Sequence, residues 1–338
     1  MVRNRIIPIF VSHAGCPHQC VFCNQKRIAG DALPLTGKAV RAALENGAAL
    51  SHGAECAFYG GSFTALEPQQ QEELLGAVQP FLDGGAVSSI RLSTRPDAID
   101  EKTVARLNRF GVRTVELGSQ SMDAEVLRRS GRGHTAEDTV RAVSLLKAGG
   151  LSVVLQMMTG LPGSTEESDL RTAEQLIALR PDGVRIYPTV VVRGTPLYDL
   201  YEQGRYMPQT TEAAAILCAQ LYRRFAAAGI PVLRMGLQPT ESLSAGDAVA
   251  GPYHPAFGEL VKSRLMLEHA RTLLASCTDE KVTLLVRRDR ISAMVGQHRA
   301  NLQLLRQEFP EKQLKVAAGT CEEWEIRLQS DEKIDTIT

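Results

Sequence analysis

Three cysteines near the start of the chain are the residues most suited to chemistry. Cys16, Cys20 and Cys23 lie within eight residues, spaced C-x3-C-x2-C, whereas the other four cysteines are scattered over the sequence. Seven cysteines in this distribution do not form the disulfide framework of a secreted protein. In a reducing compartment, a tight group of thiols indicates a metal or redox centre.

Two kinds of metal centre are compatible with this spacing. Three thiolates can each hold one corner of a 4Fe–4S cluster, which leaves one iron free to bind an exogenous molecule. A structural zinc would need a fourth ligand, which His13 or His18 could supply. The spacing alone leaves both alternatives open.

Length and charge limit the class of protein that carries this group. A chain of 338 residues predicts one large domain plus a small one. The formal net charge is zero, so any surface that binds a polyanion must be local. No apolar run approaches the ~20 residues of a membrane span, and the run from Ile6 to Val11 is too short for a secretory signal. We expect a cytoplasmic protein without membrane contact.

The elements that must position the cysteines alternate between β-like runs and helical stretches. This alternation predicts βα units, a parallel sheet and an α/β fold. Six strands with intervening helices predict a partial (β/α)6 barrel, with the active site at the carboxyl ends of the strands. The three cysteines follow the first strand at that edge. The candidate strands are residues 6–11, 55–60, 89–94, 113–118, 152–157 and 183–188.

The cysteine motif, with Phe22 directly before its third cysteine, resembles the cluster loop of the radical S-adenosylmethionine superfamily. The resemblance implies that Cys16, Cys20 and Cys23 hold a 4Fe–4S cluster, with Phe22 beside the cofactor. It also implies that the open iron binds S-adenosylmethionine and that an electron from the cluster cleaves it to a 5′-deoxyadenosyl radical. A reductant such as flavodoxin or ferredoxin would then be a partner.

Later strand ends resemble the same superfamily, and most closely the elongator catalytic subunit family. After the second strand, FYGGSFTAL matches the segment that contacts the amino group of the cofactor, which implies this role for Gly60, Gly61 and Ser62. After the fourth strand, LGSQSMDAEVLRRSGRGHT implies that Gln120 and Arg132 hold its ribose and carboxylate.

The fifth and sixth strand ends extend this resemblance. MTGLPGST implies that Met158 to Leu161 border the adenine, and PDGVRIYPTVVVRGTPLY also matches the elongator family. The resemblance to oxygen-independent coproporphyrinogen oxidase is looser. Two positions depart from relatives: Ser93 stands where many have an acidic residue, and Gln156 stands where the coproporphyrinogen enzyme has Asp. Both are assigned here to the cofactor site.

Candidate substrate contacts are fewer. Tyr187, at the end of the sixth strand, points either into the barrel mouth or into the outer packing. Residues 236–258 are rich in Gly and Pro, which predicts a long loop rather than a linker. Tyr253 and His254 lie in this loop, and the alternative for both is a structural role. We expect that too few residues follow position 280 for the acetyl-CoA-binding domain of the elongator family.

The C-terminal part predicts a β-run (282–286), a short helix near Ile291, a Gly-containing turn, a helix (300–309) and a second β-run (314–317). This order resembles a KH domain, which clamps RNA with a G-x-x-G loop between two helices. We divide the chain into a barrel domain, residues 1–278, and a small α+β KH-like domain, residues 279–338. The matching loop, Gly296 to Arg299, lacks the second glycine. Residues 281–315 hold eight Lys and Arg against three acidic residues, which favours RNA docking over a mere cap. The RNA-binding candidates are Arg287, Arg288, Gly296, His298 and Arg299.

These inferences predict a radical S-adenosylmethionine enzyme that modifies an RNA, either tRNA or rRNA. One alternative is radical chemistry on a small molecule such as a tetrapyrrole. Another is an RNA-binding protein whose iron–sulfur cluster is structural or senses redox state.

Overall fold

A computed structural model describes residues 5–11, 16–23, 35–50, 53–240, 243–329 and 334–337. Its largest sheet has seven parallel strands in the order β1-β2-β3-β4-β5-β6-β8, while β7 and β9 pair with each other. The sheet curls into a partial barrel, as predicted. The strands are β1 (Ile6–Phe10), β2 (Ala54–Tyr59), β3 (Val87–Thr94), β4 (Val112–Gln120), β5 (Ser152–Thr159), β6 (Gly183–Pro188), β7 (Val191–Val192), β8 (Val232–Met235) and β9 (Ala248–Ala250).

The prediction of six strands was one short. β8 adds a seventh strand beside β6, where Val184 pairs with Val232. Its four residues are half-buried or exposed at the sheet edge and lack the alternating pattern that marks a strand in the sequence. The stretch at residues 236–258, predicted as a loop, contains the short strand β9.

Helices cover the outer face of the large sheet. Alternate strand residues, such as Phe58, Leu92 and Leu117, are fully buried against them. No helix within the described ranges is long and apolar enough to cross a membrane. The helices are α1 (Gly37–Leu50), α2 (Pro68–Gly76), α3 (Gln79–Asp83), α4 (Glu101–Arg109), α5 (Ala124–Arg129), α6 (Ala136–Ala148), α7 (Glu166–Ala178), α8 (Pro196–Glu202), α9 (Thr211–Ala227) and α10 (Phe257–Ser276).

A second sheet begins after α10. It has the order β11-β10-β12-β13, with β10 parallel to β11 and antiparallel to β12. The strand, two helices and strand predicted for this region are present, and its relation to KH domains stays a prediction. The elements are β10 (Lys281–Val286), α11 (Ile291–Val295), α12 (Ala300–Glu308), β11 (Gln313–Ala318), β12 (Ile326–Gln329) and β13 (Ile334–Ile337).

Helix α10 contributes to both hydrophobic cores. Its first half places Val261 and Leu265 in the core of the large sheet. Its second half places Leu267 and Leu273 in the core of the small sheet. The two units therefore share one helix, and the division after residue 278 stays a prediction.

Candidate active site

Four segments meet at one edge of the large sheet. Its strands are parallel, so their carboxyl ends share the edge where barrels of this kind hold their active sites. The cysteine loop follows β1 and the Gly60-Gly61 turn follows β2. Arg95 follows β3, and the segment up to Arg132 follows β4.

Backbone hydrogen bonds hold the cysteine loop on two sides. Cys20 is buried and the other two thiols are half-buried. The Val21 N–H donates to the Ser130 carbonyl (3.0 Å), and the Leu197 N–H donates to the Val21 carbonyl (2.8 Å). The loop is thus fixed between the segment after α5 and the start of α8.

Two glycines that the sequence analysis did not select allow this close packing. Gly131 and Gly133 have φ of 64° and 71°, a region that favours glycine. A Cβ atom on Gly131 would lie 2.9 Å from the Gln19 carbonyl oxygen, and one on Gly133 would lie 2.5 Å from the His18 ring. The repeated glycines in RSGRGHT were the available signal, because such spacing indicates close backbone approach.

Arg132 is a buried cation directed at the cysteine loop. It is 7% exposed, and its Nη1 donates to the Cys20 Sγ at 3.3 Å. Its Nη2 donates to the Gly118 carbonyl, while its buried Nε has no partner within the described residues. No carboxylate in the described part of the chain forms an ion pair with it. A buried guanidinium without an anion is destabilising, so this site fits an anionic group.

Burial disfavours the charged form of two of the three thiols. Burial raises the pKa of Cys16, although the Arg95 and Arg132 cations oppose this rise. Burial also raises the pKa of Cys23 to about 12. Because a thiolate is the form that binds metal, loading the site would release protons, and the neighbouring cations favour that change.

The thiols do not surround a single ion position. In the stretches that the structure describes, no three His, Cys, Asp or Glu side chains are arranged to hold one metal ion. His18 is exposed, and His13, the other candidate zinc ligand, lies outside the described residues. A four-iron cluster takes one thiolate at each corner, so its ligands are more widely spread than those of one ion. Three thiolates on one loop match the three protein-held corners of such a cluster.

The end of β4 brings predicted cofactor residues together. The Gln156 Nε2 donates to the Gln120 Oε1 at 3.2 Å. Gln120 has φ of 64°, which turns the chain at the strand end. A Cβ atom on Gly118 would lie 2.8 Å from the Gln120 Nε2 and 3.4 Å from an Arg132 Nη2. The Gln120 amide therefore lies close to both the Gln156 amide and the Arg132 guanidinium.

The turn after β2 is tied to the end of β3. Gly60 has φ of 91°, which favours glycine. The Ser62 hydroxyl lies 3.0 Å from the Thr94 hydroxyl and accepts a hydrogen bond from the Arg95 N–H (3.3 Å). Ser62 therefore joins two strand ends, and Ser93 lies beside Glu116 in the strand register.

An apolar cluster borders this edge. Buried Met158 packs with Val126 and Leu161, and half-buried Phe22 and Tyr187 pack against them. The Tyr187 hydroxyl accepts a hydrogen bond from Arg185 at 3.3 Å. Of the two orientations left open for Tyr187, the structure therefore has the one toward the inside of the barrel.

A network of charges crosses the inside of the barrel, and the sequence analysis missed it. The Glu116 carboxylate accepts hydrogen bonds from Arg91 (3.0 Å) and Arg185 (2.8 Å). The Tyr59 hydroxyl donates to the same carboxylate (3.1 Å), and Glu55 pairs with Arg91 (2.9 Å). Burial alone would lower the pKa of Arg185, but Glu116 raises it overall. Single charged residues inside otherwise apolar strands were the available signal.

The remaining substrate candidates form local bonds. The Tyr253 hydroxyl lies 2.9 Å from the Ser244 hydroxyl. The His254 Nδ1 accepts a hydrogen bond from the Ala256 N–H (3.1 Å) at the start of α10. Their role toward a substrate stays a prediction.

The C-terminal loop keeps a glycine-like backbone where the second glycine is missing. Gly296, His298 and Arg299 have φ of 78°, 50° and 64°. Arg288, His298 and Arg299 are exposed, whereas Arg287 pairs with Asp289 (2.7 Å). Arg287 is thus partly neutralised, and its assignment to RNA binding stays a prediction like the others.

Two family descriptions match most of the chain. The Radical SAM superfamily matches residues 10–176, and the Radical_SAM C-terminal domain matches residues 181–266. Both matches lie on the large sheet and the helices that follow it, up to α10.

Similar proteins share the sequence of this region. The tRNA uridine(34) acetyltransferase of Methanocaldococcus infernus is 29% identical over 252 residues, covering 62% of this chain and 47% of that protein. Elongator complex protein 3 of Mus musculus is 32% identical over 170 residues, covering 44% of this chain and 30% of that protein. The chain therefore spans less than half the length of either relative.

A solved structure shares the fold as well. The archaeal Methanocaldococcus infernus Elp3 with an N-terminal deletion is 25% identical and has a TM-score of 0.62. The match covers 79% of this chain and 63% of that chain.

Proposed function

The chain belongs to the radical S-adenosylmethionine superfamily, and we propose that it applies the chemistry of this superfamily to an RNA, of the tRNA or rRNA class. It is an enzyme whose cofactors are a 4Fe–4S cluster and S-adenosylmethionine. Together these supply a 5′-deoxyadenosyl radical for hydrogen abstraction.

Cys16, Cys20 and Cys23 would hold the cluster. The observation that carries this assignment is the buried Arg132, which has no carboxylate partner in the described ranges and donates to the Cys20 sulfur (3.3 Å). A bound cluster with thiolate ligands supplies the negative charge that this guanidinium lacks. Phe22 would shield the cluster from water on its apolar side.

The residues around the end of β4 would orient S-adenosylmethionine. Gln120 and Gln156 offer amide groups toward its ribose, and Met158 an apolar wall beside its adenine. The Gly60 and Gly61 turn permits close backbone approach to its methionine end. Ser62 and Ser93 would help to fix that turn and the rim of the site.

The inside of the barrel would receive the group that loses hydrogen. Its two Glu and two Arg balance in charge, so this interior favours a neutral polar group over a phosphate. Tyr187 would contact that group at the rim, and Tyr253 and His254 would do so from the loop before α10.

RNA is the proposed substrate because relatives that share the sequence of this region are named for tRNA uridine(34) or the Elongator complex. Phosphate contacts need cations that are not already neutralised. Arg288 and Arg299 are exposed and form no ion pair within the described residues. With Gly296 and His298 between them, they offer a docking surface for an RNA backbone.

The test is an anaerobic reaction of reconstituted protein with dithionite and S-adenosylmethionine, with and without total cellular RNA. We expect 5′-deoxyadenosine by mass spectrometry, in larger amount when RNA is present. Cys20→Ala should lose the cluster and this product, whereas Cys277→Ala, a matched control outside the motif, should keep both. If a tetrapyrrole rather than RNA increases the release of 5′-deoxyadenosine, RNA is not the substrate and a tetrapyrrole takes its place. A full cluster that releases no 5′-deoxyadenosine with any addition would favour an RNA-binding protein with a structural or redox-sensing cluster.

RNA docking has a separate test. Arg288→Glu with Arg299→Glu should weaken RNA binding at least tenfold and reduce its salt dependence. Arg141→Glu with Arg171→Glu changes the same number of charges on helices of the barrel and serves as the control. If both double variants bind RNA with the same affinity, the C-terminal unit does not contribute to RNA binding.

A further inference from the structure

We propose that Arg132 sets the reduction potential of the cluster through its hydrogen bond to Cys20, with Arg95 as the residue that positions it. This inference rests on the proposed ligation by Cys20. It assigns Arg132 a role beyond holding the cofactor carboxylate.

The contact with the ligand sulfur is direct and buried. The Arg132 Nη1 lies 3.3 Å from the Cys20 Sγ, with the two residues 7% and 4% exposed. Charges in such a site are weakly screened by water. The reduced cluster carries one more negative charge than the oxidised cluster, so a nearby cation and a hydrogen bond to a ligand sulfur favour reduction.

Arg132 is the cation whose charge remains uncompensated. Arg95 is also buried, but Asp97 binds its guanidinium through two hydrogen bonds of 3.0 and 3.1 Å. Arg132 has no such carboxylate within the described residues. Asp97 thus partly neutralises Arg95, and Arg132 is the uncompensated cation at the Cys20 sulfur.

The backbone of Arg132 is fixed in place. Arg95 donates to the Arg132 carbonyl, and Arg132 in turn donates to the Gly118 carbonyl. Gly131 and Gly133, on either side, hold left-handed backbone against the cysteine loop. Held at its carbonyl and at its guanidinium, Arg132 keeps its charge beside Cys20 before S-adenosylmethionine binds.

The experiment is a potentiometric titration of anaerobically reconstituted protein without S-adenosylmethionine, followed by electron paramagnetic resonance. We expect Arg132→Gln to shift the midpoint potential to a more negative value at unchanged iron and sulfide content. Asp97→Asn should shift it in the opposite direction, because it leaves the Arg95 charge uncompensated. Arg129→Gln, an exposed arginine three residues away that pairs with Glu125 (2.7 Å), should leave the potential unchanged.

Unchanged potentials in Arg132→Gln and Asp97→Asn would overturn the proposal. If Arg132→Gln binds S-adenosylmethionine more weakly but keeps the midpoint potential, the proposal is also overturned. Arg132 would then serve only to hold the carboxylate of S-adenosylmethionine. If Arg132→Gln does not retain iron, Arg132→Lys takes its place: it keeps the charge but lacks the planar fork that reaches Cys20 and Gly118 together, so the midpoint potential should still become more negative. A full cluster in Cys20→Ala would instead defeat the ligand assignment, and iron content reads that outcome separately from the potential.

Discussion

Replacing Glu116 with Gln should destabilise the large sheet by removing the charge at the centre of the network inside the barrel. Glu116 is 4% exposed and accepts hydrogen bonds from Arg91, Arg185 and Tyr59. Gln has the same size but no charge. The change therefore leaves the packing intact and tests the charge alone.

The expected loss follows from the partners that remain. Breaking a buried ion pair by removing one partner costs roughly 3–5 kcal/mol, because the other charge stays buried and uncompensated. Arg91 keeps its pair with Glu55, but Arg185 loses its carboxylate. The Arg185 side chain is 17% exposed, so some water reaches it. We therefore expect the lower end, about 3 kcal/mol.

The assay is urea unfolding followed by circular dichroism at neutral pH. Glu174→Gln is the matched control, because its carboxylate is 63% exposed and lies 3.9 Å from Arg224; such pairs contribute roughly 0–1 kcal/mol. Glu116→Gln combined with Arg185→Met removes both charges and should recover most of the loss. If Glu116→Gln unfolds at the same urea concentration as Glu174→Gln, the network does not stabilise the fold and this reasoning is wrong.

Three further predictions concern single positions. Gly131→Ala should lower the iron content after reconstitution, because the added Cβ would meet the Gln19 carbonyl oxygen. Gly204→Ala is the control, since Gly204 has a similar backbone conformation but no atom near the added Cβ. Equal iron content in both variants would show that the clash does not matter. Burial raises the pKa of Asp169 to about 7. The stability that its neutral carboxyl contributes is therefore complete below the ordinary aspartate pKa and is lost as the pH rises toward 7. In urea unfolding from pH 4 to 8, Asp169→Asn should make the free energy of unfolding fall less steeply with pH, and a fall as steep as that of the parent protein would contradict this assignment. Arg299 has φ of 64°, a left-handed conformation that strains a residue with a side chain, so Arg299→Gly should raise the free energy of unfolding by about 1 kcal/mol. Arg288→Gly is the control, because Arg288 lies outside the left-handed region. An equal free energy of unfolding in the two variants would count against the strain.

The sequence predicted the parts of the fold that depend on local pattern. Apolar β-runs located β1 to β6 and two of the four strands of the small C-terminal sheet, β10 and β11, because burial imposes such a period on any sequence. Strand β8 escaped, since four half-exposed residues at an edge carry no period. Long-range partners escaped as well: nothing local shows that Glu116 would meet Arg185, or that Arg132 would lie on Cys20.

The candidate site followed the same division. Motif order brought the cysteine loop, Gln120 and Arg132 to one edge, because parallel strands end together. The asymmetry between Arg95 and Arg132 was invisible, since it depends on which arginine finds a carboxylate in three dimensions. Backbone conformation was hidden too, as the left-handed Arg299 illustrates.

Helix α10 determines how the two units can move. Its 20 residues form a rod of about 30 Å, with one half buried in each core. A hinge between the units would have to bend this rod or expose an apolar half, so the small sheet cannot swing freely. If the Gly296 loop docks an RNA as proposed, the docked backbone would lie at a constant distance from the carboxyl edge of the large sheet. The distance between the docked backbone and the reacting nucleotide would then select the position that is modified.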